Sequence, residues 1–335
     1  MRRRLQDWRM WLLVAVAGVM VAILIRPHGW RERPGYPLVA VLDITRSMNT
    51  RDVILGGRKV DRLRFAKDRL RRLLRQLPCG STLGLGLFTE RRSTLLMLPV
   101  EVCRHYYELS RVIGRIDWRM AWAADSRIAK GLHDAMGLLQ RPELKGAGLL
   151  FITDGHEAPP VNPRYRTRFD DVKGQVKGLL VGVGGDTPTP IPKYDESGKP
   201  QGFYRPEDVP HRSTFGEPLK APTERPGFHP RNAPFGGEWV LGQEHLSFLH
   251  ADYLRQLGEE AGLGFHRLRT AAQLLAVIDR LGVQRLTIQP WDWRPWLAAL
   301  ALLLLTGLYG MVRWQERRAP LAKPSFYSTD NKETG

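Results

Sequence analysis

The sequence predicts a doubly wound α/β domain on a mostly parallel sheet, flanked by two transmembrane helices. Three observations carry that prediction. Between residues 36 and 285, short continuous apolar runs alternate with amphipathic stretches of helical period. Two uncharged apolar runs, 10–25 and 296–312, bracket this region. The composition is that of a globular protein, with 43% hydrophobic and 25% charged residues in 335, which excludes collagen-like, disulfide-scaffold and wholly disordered chains.

The first apolar run follows Arg2, Arg3, Arg4 and Arg9 and is bracketed by Trp8, Trp11 and Trp30. It ends Ile23-Leu24-Ile25-Arg26-Pro27 with no small-x-small cleavage site, so it reads as a membrane helix that is retained. Leu38 to Leu42 is wholly apolar, as a strand covered on both faces must be. Residues 60–77 place Leu63, Ala66, Leu70, Leu73, Leu74 and Leu77 on one helical face, and arginines fill the other. Thr82–Thr89 and Ser93–Leu98 read as paired strands across a Glu-Arg-Arg turn. Ile128, Leu132, Ala135, Met136 and Leu139 mark a second amphipathic helix. Leu149–Thr153 and Leu179–Val183 are further buried strands, and helices follow at about 251–262 and 271–281. Residues 186–240 hold eleven prolines and no periodicity, and read as a long irregular insertion leaving the sheet edge. The second apolar run carries Trp293, Trp296, Tyr309 and Trp314 at its edges and has no polar face.

Two spans put tails 1–9 and 313–335 on one side and the domain on the other. The Lys/Arg excess beside the tails assigns them to the cytoplasm and the domain to the periplasm of a bacterial inner membrane. Of the formal charge of +17, the tails carry +3 and +2, leaving +12 in the exported region. An exported basic domain meets acidic proteins or lipid headgroups, not nucleic acid. Cys79 and Cys103 are the sole cysteines. An even pair in an exported domain suggests a disulfide, the alternative being two unrelated buried thiols.

The strand at 38–42 runs into Asp43-Ile44-Thr45-Arg46-Ser47, and the strand at 149–153 into Asp154-Gly155. Open α/β sheets bind ligands at this carboxyl edge. Asp125-Ser126, just before the helix near Arg127, brings a third hydroxyl there. Two carboxylates and three hydroxyls are hard donors suited to Mg2+, Ca2+ or Mn2+. The alternative is a Ser/Asp-rich turn that merely caps a helix.

Asp-x-Thr-x-Ser after the first strand, a hydroxyl before a middle helix and Thr-Asp-Gly after a later strand resemble the von Willebrand factor A domain over 36–285. The resemblance implies a metal-ion-dependent adhesion site. Ser47 and Ser126 would ligate the cation directly, Thr45 would take the first hydroxyl position, and Asp43 and Asp154 would hold the ion largely through water. An open coordination position would accept a carboxylate from a partner protein. Thr45 stands where Ser is usual and Ser126 where Thr is usual, and both keep the hydroxyl. Arg62-Leu63 with Ala66-Lys67, and Pro190-Ile191-Pro192 with Asp195 and Gly198, resemble the membrane-anchored bacterial members. Leu77-Pro78-Cys79-Gly80, Val100-Glu101-Val102-Cys103 and Ile116–Ala123 are similar to the MxaL-type branch of methanol dehydrogenase gene clusters. That branch implies a role in maturation of the enzyme, including insertion of its Ca2+, with methanol dehydrogenase or its maturation proteins as partners.

No phosphate loop or nucleophile elbow is present, and Pro159-Pro160 forbid a zinc helix at His156-Glu157. The expected protein is therefore a non-enzymatic adhesion factor. Its rivals are a Ca2+ delivery protein and, from another class, a metal-dependent hydrolase with His156 as its base. Trp118 and Trp122 flank the proposed metal edge and read as loop anchors.

Overall fold

The computed structural model describes residues 8–25, 28–120, 126–158, 166–209 and 243–318. Trp122, Asp125, most of the two tails and positions 210–240 of the insertion lie outside the described residues. The chain divides into two compact units, Met1–Arg31 with Ile288–Gly335, and Glu32–Thr287.

The helix α1 (Trp8–Leu24) leads to β1 (His28–Gly35) and then to β2 (Pro37–Asp43). β2 serves two cores at once: Leu38, Ala40 and Leu42 join one cluster, Val39 and Val41 the other. A hairpin of β3 (Val53–Leu55) and β4 (Arg58–Val60) turns on Gly56 and Gly57, both at positive φ. The helix α2 (Arg62–Gln76) starts where the Asp61 carboxylate accepts from the Arg64 backbone N–H, and stops just before Pro78. β5 (Thr82–Thr89) and β6 (Arg92–Glu101) form the expected antiparallel pair, and β6 extends beyond its expected stretch at both ends. The helix α3 (Tyr106–Arg115) was not predicted, having only Leu109, Ser110 and Ile113 buried. α4 (Ile128–Leu139), β7 (Gly148–Thr153) and β8 (Gly178–Gly182) follow the predicted pattern.

Within the insertion, the described residues are not irregular. They form β9 (Thr189–Pro190) and a hairpin of β10 (Pro192–Tyr194) with β11 (Pro200–Phe203), turned at Asp195, whose side chain accepts from Ser197 Oγ and Lys199 N. The chain re-enters on β12 (Leu246–Ser247), antiparallel to β9. The insertion thus leaves and returns through one strand pair, and its strands escaped the sequence reading because they are too short to show a period. The domain finishes with α5 (Ala251–Ala261), β13 (Gly264–Arg267), α6 (Ala271–Arg280) and β14 (Arg285–Asp292), which pairs with β1.

The central sheet has the order β13-β8-β7-β2-β5-β6, parallel throughout except for β6. Side chains of α2, α3 and α6 fill the core on one face, and those of α4 and α5 the core on the other. The sheet is therefore doubly wound and mixed, mostly parallel, as the alternation required. The chain moves outward from β2 toward β5, then from β7 toward β8 and β13. The direction reverses between β2 and β7, and a crevice opens at such a reversal.

At the other unit, α7 (Arg294–Arg318) packs against α1. Its Arg294–Trp314 stretch is long and apolar enough to cross a membrane, whereas α1, at 17 residues, is apolar but shorter. The expectation of two spanning helices is thus met in length by the second alone.

Candidate metal centre

The reversal point is where the first loop residues gather. Parallel pairing sets Leu42 beside Ile152, so Asp43 and Thr153 end their strands side by side. Thr153 Oγ1 donates to Asp43 Oδ2 at 2.6 Å, while Asp43 Oδ1 accepts from Thr45 N at 2.8 Å and Thr45 Oγ1 at 2.7 Å. A single turn of 3-10 helix at Arg46–Asn49 then brings Ser47 Oγ to 3.3 Å from Thr45 Oγ1. Thr153 is a participant that the sequence reading missed. The run Thr-Asp-Gly drew attention to its aspartate, yet the hydroxyl before it is what fixes Asp43.

Ser126 reaches the same place by a different route. Its backbone exchanges hydrogen bonds with Ala158, and the next N–H, that of Arg127, donates to Glu90 O just past β5. Ser126, Thr45, Ser47, His156, Tyr204 and Glu244 line one recess. The Ser126 hydroxyl is buried and, among the described residues, has no hydrogen-bond partner. A buried hydroxyl without a partner costs roughly 1–3 kcal/mol, so a ligand there is the ordinary explanation.

Asp154 is placed differently from the expectation. The turn at Gly155, at φ 78°, sends its carboxylate to a buried arginine. Arg62 Nη1 donates to Asp154 Oδ2 at 2.6 Å and to Ser247 Oγ at 2.6 Å, while Asp154 Oδ1 accepts from His156 N at 2.9 Å. The rest of the guanidinium forks onto Asp52, with Nε 3.0 Å from Oδ1 and Nη2 2.5 Å from Oδ2. Asp52 in turn accepts from Gly185 N at 2.8 Å. The reading that arginines of α2 all face solvent is corrected here: Arg62 is 0% exposed. It sits four and eight residues before Ala66 and Leu70, on the apolar stripe, and that phase was the available signal.

The two carboxylates consequently differ in charge. Burial, then repulsion from Asp154, pushes the Asp43 carboxyl up to about 7 against the pull of Thr153 and Thr45 hydrogen bonds. Burial would raise Asp154 too, but the Arg62 guanidinium overrides it and holds the group below its ordinary value. With Asp43, Asp52 and Asp154 ionised against Arg62, the cluster carries two negative charges in excess. A divalent cation would neutralise it. The residues present therefore fit such an ion: an unsatisfied hydroxyl, two further hydroxyls and a carboxylate in want of a positive charge.

Among the described residues, the one group of His, Cys, Asp and Glu ligand atoms within mutual reach is Cys79, Glu101 and Cys103. It is no metal site, because Cys79 and Cys103 form a disulfide with Cα atoms 5.2 Å apart. That bridge sits at the opposite end of the sheet, and Glu101 beside it accepts from Gly80 N and Arg104 N.

The insertion walls the metal edge. Tyr194 stacks on Trp118 with ring centroids 5.6 Å apart, the Arg46 guanidinium lies 5.4 Å from the Tyr204 ring, and Ile191 and Asp208 complete the recess. The expected excursion away from the sheet is instead a partial cover over the site.

Residues 38–156 match the von Willebrand factor type A domain family. No functionally curated protein matches the chain. Among solved structures, the chain is similar to an aerotolerance-related membrane protein from Bacteroides fragilis, at 16% identity and TM-score 0.47, over 73% of this chain and 98% of that one. It is also similar to the conserved hypothetical protein BatB from Bacteroides thetaiotaomicron, at 15% identity and TM-score 0.43, over 74% and 97%. The family match spans the crevice from β2 to the residues following β7, and with it all five candidate ligands. Residues 38–156 are thus similar to the von Willebrand factor type A domain.

Proposed function

We propose that the domain holds a divalent cation with Asp43, Thr45, Ser47, Ser126 and Asp154, and through it grips a carboxylate of a partner protein. The buried Ser126 hydroxyl, which has no partner among the described residues and lines one recess with Thr45 and Ser47, carries this reading. Ser47 and Ser126 would ligate directly, and Asp43 would supply the nearest unpaired charge. The cation would act as a Lewis acid that leaves one position for an outside oxygen. The chain's own groups do the remainder. Thr45 and Thr153 hold Asp43 in place, and the insertion hairpin narrows access to the recess.

The same proposal sets the protein in a bacterial inner membrane, crossed by α1 and α7, with the domain in the periplasm and both termini in the cytoplasm. The disulfide supports an oxidising compartment, and the length of α7 supports at least one span. The resemblance to the MxaL-type branch makes methanol dehydrogenase, or a protein that matures it, the first client to test. The role would be adhesion during assembly, not turnover.

The test is capture from membranes solubilised in mild detergent, with the full chain as bait. Capture should disappear in chelator, return with Mg2+ or Mn2+, and fall at least about tenfold in Asp43→Ala, which removes the unpaired charge from the site. Capture indifferent to both chelator and Asp43→Ala overturns the metal reading. Capture that instead decays steeply with salt would transfer the role to the basic surface.

A further inference from the structure

A second hollow, of about 420 Å3, adjoins the metal recess, for His156 and Glu244 line both. The residues that follow β7 and those that begin α5 wall it, with Glu157, Pro188, Phe248, His250 and Tyr253 among them. None of the five candidate metal ligands does so. Its volume suits a small molecule or one long side chain. The chain carries 51 Lys and Arg residues, yet among the described residues none lines this hollow, whereas two glutamates do.

Glu157 gives the hollow its chemistry. Its Oε1 accepts from Tyr253 OH and from Ala129 N, and so satisfies an open N–H at the start of α4. That structural role leaves Oε2 unexplained, since it is buried and has no hydrogen-bond partner among the described residues. His250 Nε2 is in the same condition, and it accepts when the ring proton sits on Nδ1. Two acceptors without donors in one hollow suit a ligand that brings N–H groups. Arg127 attracts the Glu157 carboxyl without offsetting its burial, so the group still lacks a full counter-charge. Aromatic rings complete the walls: Phe248 packs on His250 with centroids 4.1 Å apart, and Phe248 and Tyr253 are both half-buried. Such rings attract a cation and cover an apolar stem.

The geometry points to an organic-cation site: the hollow takes a primary ammonium or guanidinium group on a short apolar stem, with its N–H groups donating to Glu157 and its stem against Phe248 and Tyr253. A quaternary ammonium would leave both acceptors empty, and an anion would meet two glutamates. The group arrives either on a free amine or as a Lys or Arg side chain of a partner protein. Filling the hollow requires no metal ion, so this inference stands or falls apart from the metal reading.

The experiment titrates n-butylammonium, tetramethylammonium and butyrate separately into the full chain in detergent, with chelator present, by calorimetry and by saturation-transfer NMR of each probe. n-Butylammonium should bind at least about tenfold more tightly than either of the others. Glu157→Gln should weaken n-butylammonium at least about tenfold, and Phe248→Leu about threefold. Glu108→Gln, exposed on α3, should change nothing. The source is then read by adding n-butylammonium to capture from solubilised membranes: release of the captured protein assigns the hollow to a partner's basic side chain, and undiminished capture assigns it to a free amine. The inference fails if no probe binds, if butyrate or tetramethylammonium binds as tightly as n-butylammonium, or if Glu157→Gln and Phe248→Leu both fold and bind it as the wild type does.

Discussion

Asp43 ends β2 and Asp154 follows the end of β7, its parallel neighbour, and each is 0% exposed. Their surroundings are nonetheless opposite. Asp43 is held by hydroxyls and one backbone N–H, all neutral, so its charge has no counterpart. Asp154 is held by a guanidinium that is itself tied to Asp52 and Ser247. Burial is the same for both, so it is the partner that decides which carboxyl rises and which falls. Asp43 thus lacks a positive partner among the described residues, and Asp154 has one in Arg62.

The contrast can be broken most forcefully by removing each carboxylate in turn. Asp154→Ala leaves Arg62 buried with one of its two carboxylate partners and should cost about 3 kcal/mol of stability. Asp43→Ala removes an uncompensated charge and should leave thermal stability in chelator unchanged or higher. Equal losses in the two variants, in thermal unfolding of the detergent-solubilised chain, would dissolve the distinction. A remote control calibrates it. Cys79→Ser with Cys103→Ser opens a bridge between residues 24 apart and should also cost about 3 kcal/mol, yet leave Mn2+ affinity as in the wild type. Metal affinity that tracked stability in this variant would mean the edge responds to any loosening.

The smallest effect concerns Glu157, a half-buried carboxyl near the edge with yet another surrounding. It accepts from Tyr253 OH and from Ala129 N at the start of α4, but burial outweighs these bonds and raises its pKa. A folded value above the unfolded one means the folded chain binds the extra proton. Its contribution is complete below the ordinary glutamate range, near about 4.3, and is lost as pH climbs through the raised value. Glu157→Gln should flatten that decline, seen as a shallower fall of melting temperature with pH. An unchanged slope would show that the carboxylate is fully compensated where it stands.

Much of this was legible in residue order, and the reasons are particular. β2, β7 and β8 announce themselves because a strand covered on both sides has no polar position to interrupt it. Asp43, Thr45 and Ser47 follow at spacings that one turn brings together. The helix α3 escaped notice because two buried apolar anchors are too few to set a period, and β13 because four residues carry little pattern. Arg62 showed only its phase on the apolar stripe, and its pairing with Asp52 was illegible for a stronger reason. A charge in sequence is read as a wet surface, and only the tertiary arrangement shows that two aspartates and an arginine meet inside.

The Arg62 hub also bears on how such a chain can change over generations. Replacing Arg62 alone leaves Asp52 and Asp154 facing each other without a cation, and replacing either aspartate alone leaves a guanidinium short of a partner. Each single step costs about 3–5 kcal/mol, a large share of the roughly 5–15 kcal/mol that holds a domain together. An apolar trio of similar volume would be as stable, yet every one-substitution path to it crosses a state close to unfolding. Stability alone therefore favours exchanging the three residues together over exchanging them one at a time.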